Sequence, residues 1–438
     1  MPSFLLSPSY TSSFSVPSFF PLLCLPALLA SPLMARPRMP GRGIVFYVLV
    51  FVCLAQIQCR FHVLAMLDPL DFLALQSIRK SLEDMPGSNF FASWDFTADP
   101  CHFDGVYCDT DRVVALNLGD PRAGSPGLTG RLDPAIGKLS ALSEFTVVPG
   151  RIYGSLPQSF SNLKNIRFLG VSRNFISGEI PEHLGRLRTL RTLDLSYNQL
   201  TGRIPSSIGA SPELSNLILC HNHLSGSVPS FASHTLTRLD LKHNSLTGTL
   251  APNSLPPSLQ YLSLSWNNLS GPVDRLLNRM NQLNYLDLSL NRFTGIIPPR
   301  IFSLPLTNLQ LERNQFTGAV QPGNQVTIPT VDLSHNEFSG QISPMFSTVE
   351  NLYLNNNRFS GRVPSNFVDR LLAARIQILY LQHNYLTDIE ITPTAKIPVS
   401  SSLCLQYNCM VPPIQTPCPL RSGKQITRPT AQCNQWRG

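Results

Sequence analysis

Residues 193 to 209, LDLSYNQLTGRIPSSIG, place apolar side chains at Leu193, Leu195, Leu200, Ile204 and Ile208, with Asn198, Gly202 and Pro205 between them. A helix needs apolar positions three and four apart, and Gly202 and Pro205 stand where they would break one; a simple strand needs alternation beyond Leu195. The pattern is met by one short strand carrying Leu193 and Leu195, followed by a returning arc that points Leu200, Ile204 and Ile208 into the same core. One such unit cannot bury that core alone, so it predicts stacked copies of itself.

The pattern L-x-x-L-x-L-x-x-N-x-(L/F)-x-G aligns asparagines at 174, 198, 222, 244, 267, 291, 314, 336, 357 and 384. Their separations, 24, 24, 22, 23, 24, 23, 22, 21 and 27 residues, match the leucine-rich repeat period. Two degenerate units precede them: residues 113 to 132, with an insertion near DPRAGSPG, and residues 142 to 157, where Gly150 fills the asparagine slot. The predicted fold is an α/β-type repeat solenoid, a leucine-rich repeat superhelix with a parallel β-sheet on its concave face. Each asparagine is expected to turn inward and pair with backbone groups that regular structure leaves unsatisfied, a structural task and not a catalytic one.

Open solenoid ends must be covered. Residues 67 to 85 carry Leu70, Leu73, Leu75, Ile78 and Leu82 at helical spacing, and Trp94 with Cys101 and Cys108 follow, which predicts a helical N-terminal cap over 66–112. About twelve repeats then occupy 113–391, and 392–438 form a basic C-terminal cap and tail with Cys404, Cys409, Cys418 and Cys433. Cysteines gathered at the two ends predict disulfide-capped ends in an oxidising compartment, since their spacing lacks the tight pairs of zinc sites. The four C-terminal cysteines allow three connectivities.

Charge refines this picture. Charged residues are 14% of the chain, against about 25% in an average protein, and the net charge is +8. Four of the basic residues, Arg36, Arg38, Arg42 and Arg60, precede the first acid, Asp68, and five more (Lys396, Arg421, Lys424, Arg428 and Arg437) follow the last one, Glu390. The body between is nearly neutral and offers no basic stripe for nucleic acid. From Met34 a basic start leads into an apolar run from 44 to 55, with small-residue cleavage options after Ala55 or Ala65, so 1–65 reads as a targeting region with a signal peptide at 34–55 or 34–65. Residues 1–33, uncharged and rich in Pro, Ser and Phe, are an organelle-targeting segment or a start of translation upstream of Met34; the complete signal that follows favours Met34. Secretion to the extracellular space or wall is expected, with an uncleaved anchor at 43–59 as the alternative.

The elements LTGRIP (200 to 205), ISGEIP (176 to 181) and FTGIIP (293 to 298) resemble the plant-specific class of leucine-rich repeats. The front cap is similar to that of plant receptor kinases, receptor-like proteins and polygalacturonase-inhibiting proteins, with Phe103 where a second Trp is usual. A kinase domain after the repeats is not expected. The resemblance implies a non-enzymatic recognition protein for an extracellular peptide or protein, in plant signalling, development or defence. Inhibition of a cell-wall-degrading hydrolase such as polygalacturonase, or a structural role in the wall, are the alternatives.

Variable strand positions face the concave side. Aromatic and basic groups gather there in mid-solenoid, so Tyr197, Arg238, His243, Tyr261, Trp266 and Tyr285 are the expected ligand-binding patch, of the residue types that dominate binding hot spots. Histidines at 221, 243, 335 and 383 lack a completing carboxylate set, so no metal or cofactor is expected. Asp194, Asp240, Asp287 and Asp332 fall on alternate coils, about 10 Å apart at strand spacing, and read as polar strand positions before paired catalytic acids. Cys220 is the odd thiol, and Asn268 in Asn-Leu-Ser is the glycosylation sequon. A membrane receptor kinase, and anionic wall polysaccharide held by the basic tail, are further candidate partners. N-terminal sequencing of secreted material is expected to begin after Ala55 or Ala65; membrane-bound protein retaining 44 to 58 overturns that.

Overall fold

A computed structural model of the chain describes residues 67–119, 127–419, 423 and 425–434. The targeting region 1–65, the insertion near 120 and the tail residues Arg421, Lys424 and Arg437 lie outside the described residues. Among the described residues, no helix is long and apolar enough to cross a membrane.

The chain opens with a helix, Pro69–Ser81, capped by the Asp68 carboxylate, which accepts from the N–H groups of Leu70 and Asp71. Its inward face is Asp71, Ala74, Leu75 and Ile78, whereas Leu70 and Leu73 are 60% and 57% exposed. Helical spacing identified the helix, but Leu70 and Leu73 do not join the core. The reason is Asp71: its fully buried carboxylate accepts from Arg112 Nε at 3.1 Å and Nη2 at 2.9 Å, and from the Val113 N–H at 2.9 Å. A buried carboxylate demands that many donors, and meeting them sets the rotation of the helix. Behind it Phe90, Phe91, Trp94, Phe96 and Phe103 form an aromatic cluster, in which Phe103 lies 5.5 Å from Trp94 and 5.1 Å from Phe96. Phenylalanine thus fills the place of a second tryptophan, and the Cys101–Cys108 disulfide closes the cap.

From Arg112–Leu118 onward each coil contributes one short strand to a 14-stranded concave sheet, parallel except for the first pair. Leu193, Leu195, Leu200, Ile204 and Ile208 are all buried, as are their counterparts in neighbouring coils. A second layer of strands runs behind the first, five up to Gln199–Thr201, of which only the first pair is antiparallel, and eight parallel ones from Ser225–Gly226 to Tyr385–Ile389. The glycine of the T-G-x-I-P element allows this: Gly202 has φ +75°, and a β-carbon there would stand 2.8 Å from the Glu179 side chain. In the later coils Phe293, Phe316, Phe338 and Phe359 replace leucine and stack 6.3, 6.1 and 6.4 Å apart through the core.

The asparagines tie coil to coil. Asn198 Nδ2 donates to the carbonyls of Val171 (2.7 Å), Leu195 (3.1 Å) and Ser196 (3.2 Å), while its Oδ1 accepts from the Ile176 N–H at 3.0 Å. The same arrangement recurs up the stack and reaches Asn408, whose Oδ1 accepts from Leu386 N and whose Nδ2 donates to Leu381 and Leu405. Strand Ser402–Cys404 extends the concave sheet on that coil, so the repeat continues past 391 into the C-terminal cap. Cys404–Cys418 and Cys409–Cys433 staple this end. The Arg428 guanidinium lies 4.0 Å from the Tyr385 ring and 4.6 Å from that of Tyr407, and its Nε donates to Asn384 O. This cation anchors the tail internally.

Adjacent asparagines separate the structural role from surface chemistry. Asn267→Ala leaves the Leu246 N–H and the Leu241 carbonyl without their side-chain partner and is expected to cost about 3 kcal/mol. Asn268→Ala, at an exposed position, is expected to change stability by less than about 0.5 kcal/mol; urea unfolding of the two variants checks the contrast.

Candidate functional site

The six expected ligand-binding residues resolve into two columns. Arg238, Tyr261 and Tyr285 open the strands Arg238–Asp240, Tyr261–Ser263 and Tyr285–Asp287, which pair in register. Parallel register superposes their side chains: the two tyrosine rings stack 4.3 Å apart at 5°, and the Arg238 guanidinium lies 4.3 Å above Tyr261. The Tyr261 hydroxyl reaches Asp240 Oδ2 at 3.5 Å, and that of Tyr285 reaches Gln310 Oε1 at 3.4 Å. Burial, reinforced by nearby carboxylates, pushes both phenols up, Tyr285 to about 12.

Tyr197, His243 and Trp266 form the other column, immediately before the asparagines. These residues lie beyond the strand ends, in left-handed conformation at φ 54°, 53° and 53°. A non-glycine residue there costs on the order of 1–2 kcal/mol. The cost is offset because each such residue still bonds both neighbouring coils: His243 donates its N–H to Ser265 O and accepts from Asn222 N. The repeated turn aligns side chains into a stack that runs Arg173, Tyr197, His221, His243, Trp266, with successive separations of 4.4, 4.1, 4.2 and 4.8 Å. Arg173 and His221 therefore belong to the same ladder; their position before an asparagine carried the signal, although the expected patch left them out. Trp266 and Tyr197 remain 52% and 37% exposed.

Burial first, then the charges of His243, Lys242 and Arg173, drives His221 down to about 4, and burial lowers His243 as well. The imidazoles are thus neutral stacking partners. His335 bonds Asn356 instead, at 3.3 Å. Among the described residues no three His, Cys, Asp or Glu side chains gather to hold a metal.

Between the two columns runs a third, with Asp194, Asp240, Ser263, Asp287, Gln310 and Asp332 in successive coils from 194 except at Ile218. Asp287 Oδ1 accepts from the Ser289 N–H (3.1 Å) and hydroxyl (2.7 Å), the same turn that Asp194 makes with Ser196. These aspartates cap the strand ends. Cys220 is buried and free, and burial pushes its thiol up to about 12, which removes its nucleophilic form. Asn268 is exposed at the start of strand Asn268–Pro272, not in a loop, and flanks the same open groove as Trp266.

The leucine rich repeat N-terminal domain family matches residues 68–109, and leucine rich repeat families match 189–211, 232–249, 258–280, 282–304 and 348–369. Receptor like protein 22 of Arabidopsis thaliana is 36% identical over 143 residues, 31% of this chain and 18% of that relative. The receptor-like kinase TMK4 of Arabidopsis thaliana is 33% identical over 297 residues, 66% of this chain and 31% of the relative. The chain spans less than a third of either relative's length. A plant ice-binding protein of known structure is similar with a TM-score of 0.55 and 25% identity, covering 77% of this chain and 100% of that one.

The histidine ladder makes stability depend on pH. With His221 at about 4 in the fold and an ordinary imidazole at 6.5, the unfolded chain binds the proton first, so this contribution is lost as pH falls from 6.5 towards 4. His221→Phe keeps a ring in the stack without the titration. Its melting temperature is expected to fall less than the parent's over that range, and parallel curves would refute the assignment.

Proposed function

With the chain taken as a plant-type leucine-rich repeat protein, similar to receptor-like proteins and receptor-kinase ectodomains, we propose that it is an extracellular, non-enzymatic recognition protein whose concave face binds a peptide or protein. The observation that carries this is the pair of aligned columns, Arg238, Tyr261 and Tyr285 on one side and Tyr197, His243 and Trp266 on the other, displayed on a rigid sheet. Aromatic and arginine side chains already immobilised by stacking lose little rotamer entropy when a partner arrives, which concentrates binding energy in them. Receptor-like relatives support a ligand-recognition role of this kind, and a membrane receptor kinase is the proposed co-partner. Asp194 and Asp287 of the concave face cap strand ends, an arrangement suited to recognition.

A ligand captured from extracellular fluid and identified by mass spectrometry provides the test. Trp266→Ala or Tyr261→Ala is expected to weaken its binding by about 2 kcal/mol, while Glu179→Ala, on the second strand layer, leaves affinity unchanged. Leu264→Ala, a core contrast, is expected to cost roughly 2 to 5 kcal/mol of stability. Affinity and thermal melting measured side by side separate the two effects. Parental binding by both aromatic variants would move the site to another surface.

A further inference from the structure

We propose that the ligand of this concave face is a peptide presenting a basic side chain, a lysine ammonium or an arginine guanidinium, to Asp240, Asp287, Glu312 and Asp332. The proposal rests on the recognition role above and names the chemistry of its ligand.

Asp240, Asp287 and Asp332 each end a concave strand, and Glu312 lies two residues past strand Leu309–Gln310 on the coil between the last two. With adjacent coils about 4.8 Å apart, the acids line a strip about 20 Å long. Asp240 is only 2% exposed, yet its Oδ1 has no hydrogen-bond partner among the described residues. Glu312 Oε2 and Asn308 Oδ1, both on the coil three further on, are buried acceptors in the same condition. A buried acceptor without a donor is costly, and two such carboxylate oxygens together with the Asn308 amide oxygen call for incoming N–H groups.

The protein's own cations leave these oxygens unpaired, although Lys242 and Arg238 both act on Asp240 through their charge. Arg238 reaches only Asp240 Oδ2, at 3.6 Å, and spends its face on the Tyr261 ring, leaving its own Nε unpaired. Arg313 is exposed at the rim. Burial, then the charges of Asp332 and Asp287, pushes the Glu312 carboxyl up to about 7, and four acids share this strip although the whole chain carries +8. The acids are strung along coils and not gathered round a point, which fits a side chain with three or five divergent N–H donors better than a metal ion. The stacked tyrosines beside them add ring surface for a cation. An extended peptide, rising about 3.3 Å per residue, follows such a strip over roughly six residues.

A phage library of random twelve-residue peptides, panned on the secreted protein, tests the idea with a defined probe. Selected binders are expected to share a Lys or Arg at one position. Replacing that residue by Gln in the synthetic peptide is expected to weaken binding to the parent protein at least tenfold by calorimetry, and the Glu312→Gln/Asp332→Asn double variant is expected to lose a similar factor. Attraction to the overall charge cannot mimic this, because the protein's net positive charge repels basic peptides. Binders that lack a common basic residue, or that tolerate the peptide-side replacement, overturn the proposal; if Tyr261→Ala still abolishes their binding, concave-face recognition stands without it. Binders indifferent to Tyr261→Ala as well, or no binders at all, overturn both.

Discussion

The side-chain amide of one asparagine per coil is the interaction on which this molecule depends. A solenoid coil has a short strand and a long irregular return, and the return exposes backbone donors and acceptors to an apolar interior. An asparagine turned inward satisfies several of them: Asn291 Nδ2 donates to Leu264, Leu288 and Ser289 carbonyls, and its Oδ1 accepts from the Leu269 N–H. Two of those partners belong to the preceding coil, so the amide joins coils as well as closing one. Because the junction sits at a single point, returns of different length are accommodated between fixed strands, and asparagine separations run from 21 to 27 residues without breaking the sheet.

The surface inherits its order from the same constraint. Aiming the asparagine inward forces its predecessor into left-handed conformation, and the set Arg173, Tyr197, His221, His243, Trp266 takes it at nearly one angle, φ 53° to 55°. Identical backbone geometry repeated at strand spacing brings side chains to stacking distance wherever flat groups occupy the column. Where the column holds Leu290 and Arg313 the stack ends, and Trp266 keeps an exposed face. The aligned surface is thus a by-product of how the core satisfies its hydrogen bonds.

The ends obey a different physics, since a terminal coil has no neighbour on one side. The N-terminal end is covered by a helix tied to the first long strand through the buried Asp71–Arg112 pair and by the aromatic cluster around Trp94. The C-terminal end continues the asparagine ladder for one more coil and is then closed by two disulfides and by Arg428 between two tyrosines.

Periodicity along the chain was enough to determine the coil, the concave strand, the structural role of the asparagines and the capped ends, because each follows from where apolar residues recur within one repeat and from what an inward amide must do. The residues proposed to bind the ligand were legible as types in columns. Their division into two stacks, the membership of His221 and Arg173, and the unpaired oxygens of Asp240 and Glu312 were decided by contacts between residues one to three coils apart, to which local pattern is blind. The outward turn of Leu70 and Leu73 has the same origin, since helical spacing cannot register a carboxylate whose partner, Arg112, lies 41 residues away. Leu403, Leu405 and Asn408 keep the repeat spacing, but cysteines surround them, and only pairing of Ser402–Cys404 with Ile378–Tyr380 made them a coil. Sequence determines what one repeat must bury; the stacking of repeats decides which side chains meet, because that depends on the summed geometry of all the coils between.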